Sequence, residues 1–167
     1  MASKQILNGV QILQKIKRIA FEIYENNFEE HEMIIAGIQG QGYLMAKLLA
    51  HELQQISPIK AHFVQIIFDK NSPYDNSAVF DCDERFLEKK TIIVVDDVLN
   101  TGRTLAYSLS PFLTIPIKRL QVAVMVDRDY RRFPIKADFV GYSLSTTMTD
   151  HITVELEQEG KIGIYLD

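Results

Sequence analysis

Two adjacent carboxylates followed by a small, hydroxyl-bearing turn are the side chains best placed to do chemistry: Val95-Asp96-Asp97-Val98-Leu99-Asn100-Thr101-Gly102-Arg103-Thr104. The β-branched run Thr91-Ile92-Ile93-Val94-Val95 precedes them, and apolar spacing resumes at Leu105. This pattern predicts a buried strand that delivers two acids, then a turn that opens a helix. In an open α/β sheet, ligands occupy the crevice at the carboxyl ends of the strands. The first N–H groups of the following helix lack intrahelical acceptors and, with the helix dipole, favour an anion. Phosphate fits that position. Gly102 permits close backbone approach, Thr101 and Thr104 supply hydroxyl donors, and Arg103 adds positive charge. Asp96 and Asp97 require a different partner, because carboxylates repel phosphate. Ribose 2′- and 3′-hydroxyls with Mg²⁺ nearby meet that requirement. On the residues alone, one alternative stays open: an acid pair that only caps the helix and complements its N-terminal charge.

Other chemistries find no support. Neither Gly-x-x-x-x-Gly-Lys-Ser/Thr nor a Gly-x-Gly-x-x-Gly after a strand occurs. Gln39-Gly40-Gln41-Gly42 is by itself a weak signal, compatible with a plain strand-to-helix turn. His31, His51, His62 and His151 stand far apart, so no zinc site is expected. Cys82 is the only cysteine, which rules out an intrachain disulfide and fits a reducing cytoplasm. Its acidic neighbours do not favour a thiolate nucleophile. No apolar run approaches 18 residues, so neither a membrane span nor a signal peptide is expected.

The elements that must position the acids follow from periodicity. Ile12, Ile16, Ile19, Ala20 and Ile23 mark an amphipathic helix, with Asn8 as N-cap and Asn26-Asn27 as its stop. Met33 to Ile38 reads as a strand, followed by a glycine turn and a helix carrying Leu44, Met45, Leu48, Leu49 and Leu53. Ile59 to Phe68 is β-rich, Asp69 to Asn76 reads as a mobile loop, and Thr91 to Val95 is a central parallel strand. Leu105, Leu109, Phe112 and Leu113 predict a helix from about Thr104, and Leu120 to Val126 another strand. Short strands are expected at Ala137 to Tyr142, Ile152 to Leu156 and Ile162 to Leu166. The alternation predicts an α/β fold with a doubly wound, mostly parallel sheet and a small strand-rich C-terminal lobe. With 167 residues, 47% of them hydrophobic and 24% charged, the chain suits one domain covering 1–167. A net charge of −4 argues against a broadly basic nucleic-acid coat.

The run from Val94 to Thr104 resembles the phosphoribosyl pyrophosphate signature of type I phosphoribosyltransferases. Within that group, the whole chain is similar to the bifunctional pyrimidine-operon attenuator and uracil phosphoribosyltransferase proteins. The similarity runs from Arg18-Ile19-Ala20-Phe21-Glu22 through Val124-Met125-Val126-Asp127-Arg128 to Pro134-Ile135-Lys136-Ala137-Asp138-Phe139-Val140-Gly141. The resemblance implies transfer of ribose 5-phosphate from phosphoribosyl pyrophosphate to a nucleobase, with uracil giving UMP and pyrophosphate. It implies that Asp96 and Asp97 hold the ribose hydroxyls, with Mg²⁺ held mainly through the substrate. Val98, Leu99, Asn100, Thr101, Gly102, Arg103 and Thr104 would form the 5′-phosphate loop, and Gln39, Gly40, Gln41 and Gly42 the pyrophosphate loop. A hood formed by about 137–167 and N-terminal elements would cover the base, with backbone at Phe139 and Val140 facing it. A homodimer is also implied.

Against the usual Lys-Thr-Arg-Gly of the attenuator family, Gln39-Gly40-Gln41-Gly42 lacks two positive charges. Each lost charge-assisted contact is worth about 1.5–3 kcal/mol unless another cation, from Lys60, Lys70 or Arg85, compensates. Asn100 stands where purine-salvage relatives carry an aspartate; its amide takes no proton at neutral pH, which leaves it a role in loop geometry. Tyr130, Tyr142, Met148 and His151 occupy positions that are histidine or basic in the family, so RNA binding is not expected. Arg128-Asp129-Tyr130-Arg131-Arg132 reads as a solvated turn or dimer contact. Phe63, Phe68, Phe80 and Phe112 read as core, and Phe139 as either core or a base-stacking ring. The competing function is a non-catalytic sensor of phosphoribosyl pyrophosphate or nucleotide that regulates pyrimidine genes through RNA or a protein partner.

Overall fold

A computed structural model describes residues 3–167. Its first helix shows how local sequence sets an element. Asn8 Oδ1 accepts from Gln11 N at 3.0 Å while Gln11 Oε1 accepts from Asn8 N at 2.9 Å, a reciprocal cap worth about 1 kcal/mol. That cap starts helix α1 (Gly9–Asn27), which buries Ile12, Ile16, Ile19, Ala20 and Ile23 along one face. Asn27 ends it, donating to Ile23 O at 2.9 Å and to Gln121 Oε1 at 3.0 Å.

The central sheet has six strands in the order β4-β3-β2-β5-β6-β7. These are β2 (Glu32–Ile38), β3 (Lys60–Ile67), β4 (Val79–Phe80), β5 (Thr91–Leu99), β6 (Arg119–Asp127) and β7 (Phe139–Ser143). All neighbouring pairs are parallel except β3 with β4. A sheet covered on both faces requires strands apolar on both faces, which explains the continuous Ile and Val runs. On one face Ile35, Ile93 and Met125 pack with α1 and with helix α2 (Gln41–Ile56). On the other, Ile34, Ile92 and Val124 pack with Leu105 and Phe112.

A separate antiparallel sheet, ordered β1-β9-β8, joins the two ends of the chain. It comprises β1 (Lys4–Asn8), β8 (Ile152–Glu155) and β9 (Gly163–Leu166). Its residues Ile152, Val154 and Ile164 belong to the same apolar cluster as α1 and α2, so the hood is packed onto the body.

Four expectations need correction. β7 pairs in parallel with β6, so the strand expected at Ala137 to Tyr142 runs over Phe139–Ser143 and lies in the central sheet rather than the hood. Helix α3 covers only Arg103–Leu109, and a 3₁₀ turn follows over Ser110–Thr114, where Pro111 cannot donate the next helical bond. Leu113 is 77% exposed and marks no helix face. Phe63 is 50% exposed beside Tyr43 and Lys47, not core, whereas Phe112 is fully buried.

Candidate functional site

β5 outruns its neighbour, and this creates the site. Its pairing with β2 stops at Gly37–Val95, while its pairing with β6 continues to Leu99–Asp127. The acids therefore stand where β2 has already turned into Gln39 and Gly40. Val98 and Leu99 also belong to this strand; Val98 lines the crevice described below, and Leu99 is buried in the core.

The two acids have different surroundings. Asp97 is half-buried and lines a crevice of about 380 Å³ with Gln41, Asn100, Arg128, His151 and Thr153. Asp96 is only 3% exposed, and its Oδ1 accepts from Asp97 N at 3.0 Å. Gly42 makes room for it: a Cβ there would lie 2.9 Å from Val95 O and 3.1 Å from Asp96 Oδ1. Burial, and secondarily the Asp97 charge, push the Asp96 carboxyl well above the usual carboxylate range, with Lys70 opposing. A larger cavity of about 440 Å³ beside Tyr74 and Tyr107 contains neither acid.

The raised Asp96 pKa has a consequence for stability. An acid whose folded pKa is raised binds its proton more tightly folded than unfolded. Its contribution is complete below the unfolded value, about 4, and is lost as pH rises through the folded one. Asp96→Asn is expected to be more stable than wild type near neutral pH and to lose less stability from about pH 4 upward. Urea unfolding across that range checks this; parallel pH profiles for the two proteins would exclude Asp96 as the source.

Beyond Leu99, the chain turns through Asn100, Thr101 and Gly102 into α3. Thr101 O accepts from Arg132 N at 2.9 Å and Phe133 N at 3.0 Å, and Thr101 Oγ1 from Arg103 N at 3.3 Å. Arg131 Nη1 donates to Asn100 O at 2.8 Å, and Arg128 Nη1 to Asn100 Oδ1 at 3.1 Å. Gly102 holds φ +86°, and a Cβ there would lie 3.2 Å from Phe133 O. The glycine therefore serves the left-handed turn and the packing of residues 133–135 against it. Because α3 has seven residues, anion binding must come from local N–H groups and hydroxyls more than from a long helix dipole.

At the other loop, Gly40 holds φ +97° and Gln39 is exposed. Gln41 begins α2, and its Oε1 accepts from Leu156 N at 2.9 Å, tying that helix to the end of β8. No cationic side chain stands in Gln39-Gly40-Gln41-Gly42. Of Lys60, Lys70 and Arg85, Lys70 acts electrostatically on Asp96, Lys60 begins β3 at the opposite end of the sheet from the crevice, and Arg85 lies in the 3₁₀ turn Glu84–Leu87 that precedes β5.

Two expectations are displaced. Phe139 is 3% exposed, begins β7 opposite Ala123, and is core; Val140 pairs with Val124 and does not line the crevice. Residues 151–155 of the hood line it instead. The alternation Ile152-Thr153-Val154 signalled a strand but not which cavity it would face. The basic cluster is only partly solvated: Asp129 and Arg132 are exposed, but Arg128 is 6% exposed, and Arg131 pairs with Asp127 while donating to Ile135 O at 3.0 Å.

Among the described residues, no group of three or more metal-ligating side chains gathers. Asp97 at the crevice supplies one accessible carboxylate, which fits a Mg²⁺ held mainly by substrate phosphates and water. Nor is any helix among the described residues long and apolar enough to cross a membrane.

The family model described as phosphoribosyl transferase domain matches residues 2–159. The chain is 32% identical over 172 residues to the pyrimidine operon regulatory protein of Lactococcus lactis subsp. lactis, covering 99% of this chain and 98% of the relative. It is 31% identical over 164 residues to the bifunctional protein pyrR of Enterococcus faecalis, covering 95% and 92%. Its fold is similar to that of a hypoxanthine-guanine phosphoribosyltransferase from Bacillus anthracis, with a TM-score of 0.73 and 18% identity over 97% of this chain and 95% of the other. A Trypanosoma cruzi hypoxanthine phosphoribosyltransferase in complex with the product IMP gives 0.70 and 20% over 89% and 82%.

Proposed function

This chain belongs to the phosphoribosyl transferase family, and on that premise we propose that it transfers ribose 5-phosphate from phosphoribosyl pyrophosphate to uracil, yielding UMP and pyrophosphate. The observation that carries the reading is one crevice that presents the Asp97 carboxylate and the Asn100 turn to the same ligand, with β8 along its side. The turn from Asn100 to Thr104 takes the 5′-phosphate through backbone N–H groups and the hydroxyls of Thr101 and Thr104. Asp97 accepts hydrogen bonds from the ribose diol, and Asp96 supports it from the buried side through the Asp97 amide. Positive charge spreads over the sugar ring as the C1–oxygen bond to pyrophosphate breaks and the base nitrogen bonds to C1. A fixed carboxylate nearby stabilises that charge more than it stabilises the neutral ground state. Bound Mg²⁺ supplies charge neutralisation at the pyrophosphate oxygens. Asn100 takes up no proton; the proton of the base leaves to water or to pyrophosphate.

The chain acts as one domain over 1–167 and as a homodimer in the cytoplasm. Arg128 and Arg131 spend donors on Asn100, Thr146 and Asp127, which supports function without RNA. Incubation with Mg²⁺, phosphoribosyl pyrophosphate and labelled uracil should produce UMP. If uracil, hypoxanthine, guanine, xanthine and orotate all gave no nucleotide, the catalytic reading would fall.

The names of the relatives and the neutral Gln39 and Gln41 favour one second reading, a regulator that binds the sugar phosphate without turning it over. Calorimetric binding of UMP without any base-dependent release of pyrophosphate would select it.

A further inference from the structure

Arg128 lines the crevice and connects two segments distant in the chain, the Asn100 turn and the loop after β7, and no part of the transfer chemistry described above uses it. We propose that Arg128 is a positioning residue that couples the 5′-phosphate turn to the loop leading into the hood, so that filling the turn sets β8 beside the base. The inference rests on the sugar-phosphate reading of that turn.

Each donor arm of Arg128 has its own partner. Nη1 donates to Asn100 Oδ1 at 3.1 Å, in the turn; Nε donates to Thr146 Oγ1 at 2.7 Å and Nη2 to Thr147 O at 3.1 Å, both in the loop after β7. Its backbone N donates to Leu99 O at 3.0 Å, which fixes its root to the end of β5. Arg128 is only 6% exposed, so these contacts are largely shielded from competing water. A planar guanidinium holds several acceptors in one fixed fork, which a flexible ammonium does not. The receiving loop is stiffened in turn: Asp150 Oδ2 accepts from Thr147 N at 2.8 Å, and β8 begins at Ile152. A shift of Asn100 on anion binding therefore reaches β8 through one rigid group and a short, braced loop.

Arg131 provides a contrast within the same turn. It holds Asn100 O at 2.8 Å but otherwise bonds Ile135 O and pairs with Asp127, reaching nothing in residues 144–151. Loosening Arg131 disturbs the turn and its contacts with Asp127 and Ile135, whereas loosening the Thr146 arm of Arg128 disturbs the connection to 144–151.

Hydrogen exchange with ribose 5-phosphate as the probe tests the coupling without requiring the base to be known. In wild type, binding should slow exchange both at 99–105 and at 144–155. Thr146→Val keeps the shape of the side chain but removes the acceptor. It should still bind ribose 5-phosphate within about threefold of wild type and protect the turn, while losing about five- to a hundredfold of the protection at 144–155, the usual range of coupling between sites. Arg128→Lys should show the same loss, and in turnover assays both should raise KM for the base more than they lower kcat. Undiminished protection of 144–155 in both variants would overturn the coupling, as would a wild type that binds ribose 5-phosphate and protects only the turn. A wild type that fails to bind ribose 5-phosphate would overturn the phosphate reading and this inference with it.

Discussion

Asp97→Asn is expected to lower kcat by about 10²- to 10³-fold while leaving the protein folded. The magnitude is that of removing one preorganised electrostatic partner from a developing transition-state charge. Asparagine keeps the shape of the side chain and an acceptor oxygen, so ribose binding should weaken far less than turnover. The fold should be insensitive for a specific reason. Asp97 is half-buried and makes no side-chain ion pair, and its charge is the second cause of the raised Asp96 pKa. Removing that charge relieves a repulsion, and asparagine keeps an oxygen that can accept the side-chain hydrogen bond from Asp96. Initial rates with phosphoribosyl pyrophosphate and base, alongside a thermal unfolding curve, check both halves. Activity within threefold of wild type would remove Asp97 from the transition state, and collapse of the fold would make its role structural.

Gln39→Lys is expected to act in the opposite direction, lowering KM for phosphoribosyl pyrophosphate by about ten- to a hundredfold. Gln39 lies exposed in the turn before α2, and its backbone N already donates to Ile66 O at 2.9 Å. The side chain is free to change without disturbing packing. One charge-assisted contact of about 1.5–3 kcal/mol gives that range in affinity. The gain should shrink at high salt, because the site is solvent-exposed. Gln41 offers no equally clean variant, since its Oε1 holds Leu156 N and an arginine there would release the end of β8. An unchanged KM at low salt would mean that pyrophosphate is not bound at this turn.

What the residues disclosed and what they concealed divide by range. The acids, the turn and the helix after them were legible because each depends on neighbours in the chain: a β-branched run makes a buried strand, and glycine with small hydroxyl residues makes a turn. The same is true of Asn8, whose cap closes with a residue three positions on. Asp96 and Asp97 were legible only as a pair. Their separate conditions come from Gly42, which lets α2 approach Asp96, and from the open crevice beside Asp97.

Phe139, open to a core or a stacking reading, and Arg128, read with its neighbours as a solvated turn or dimer contact, are both settled by contacts distant in the chain. An aromatic near the C-terminal strands was compatible with stacking on a base, but the parallel pairing of β7 with β6 places it opposite Ala123 in the core. A run of three arginines in five residues is compatible with solvent, but Arg128 finds its acceptors 18, 19 and 28 residues away in the chain. Such partners leave no periodic trace, because a hydrogen bond between distant segments constrains only the two places where they meet.

The amino-acid sequence by itself determined the main strands and helices, though not the short β1 and β4, most of their buried faces and the chemistry available at the end of β5, since these follow from the period of apolar residues and from local turn geometry. Tertiary structure alone decided that β7 joins the central sheet, that β8 borders the crevice, that Asp97 rather than Asp96 meets it, and that one buried guanidinium spans from turn to hood. The physical reason is burial: whether a polar group is desolvated, paired or presented to a ligand depends on what long-range folding brings against it.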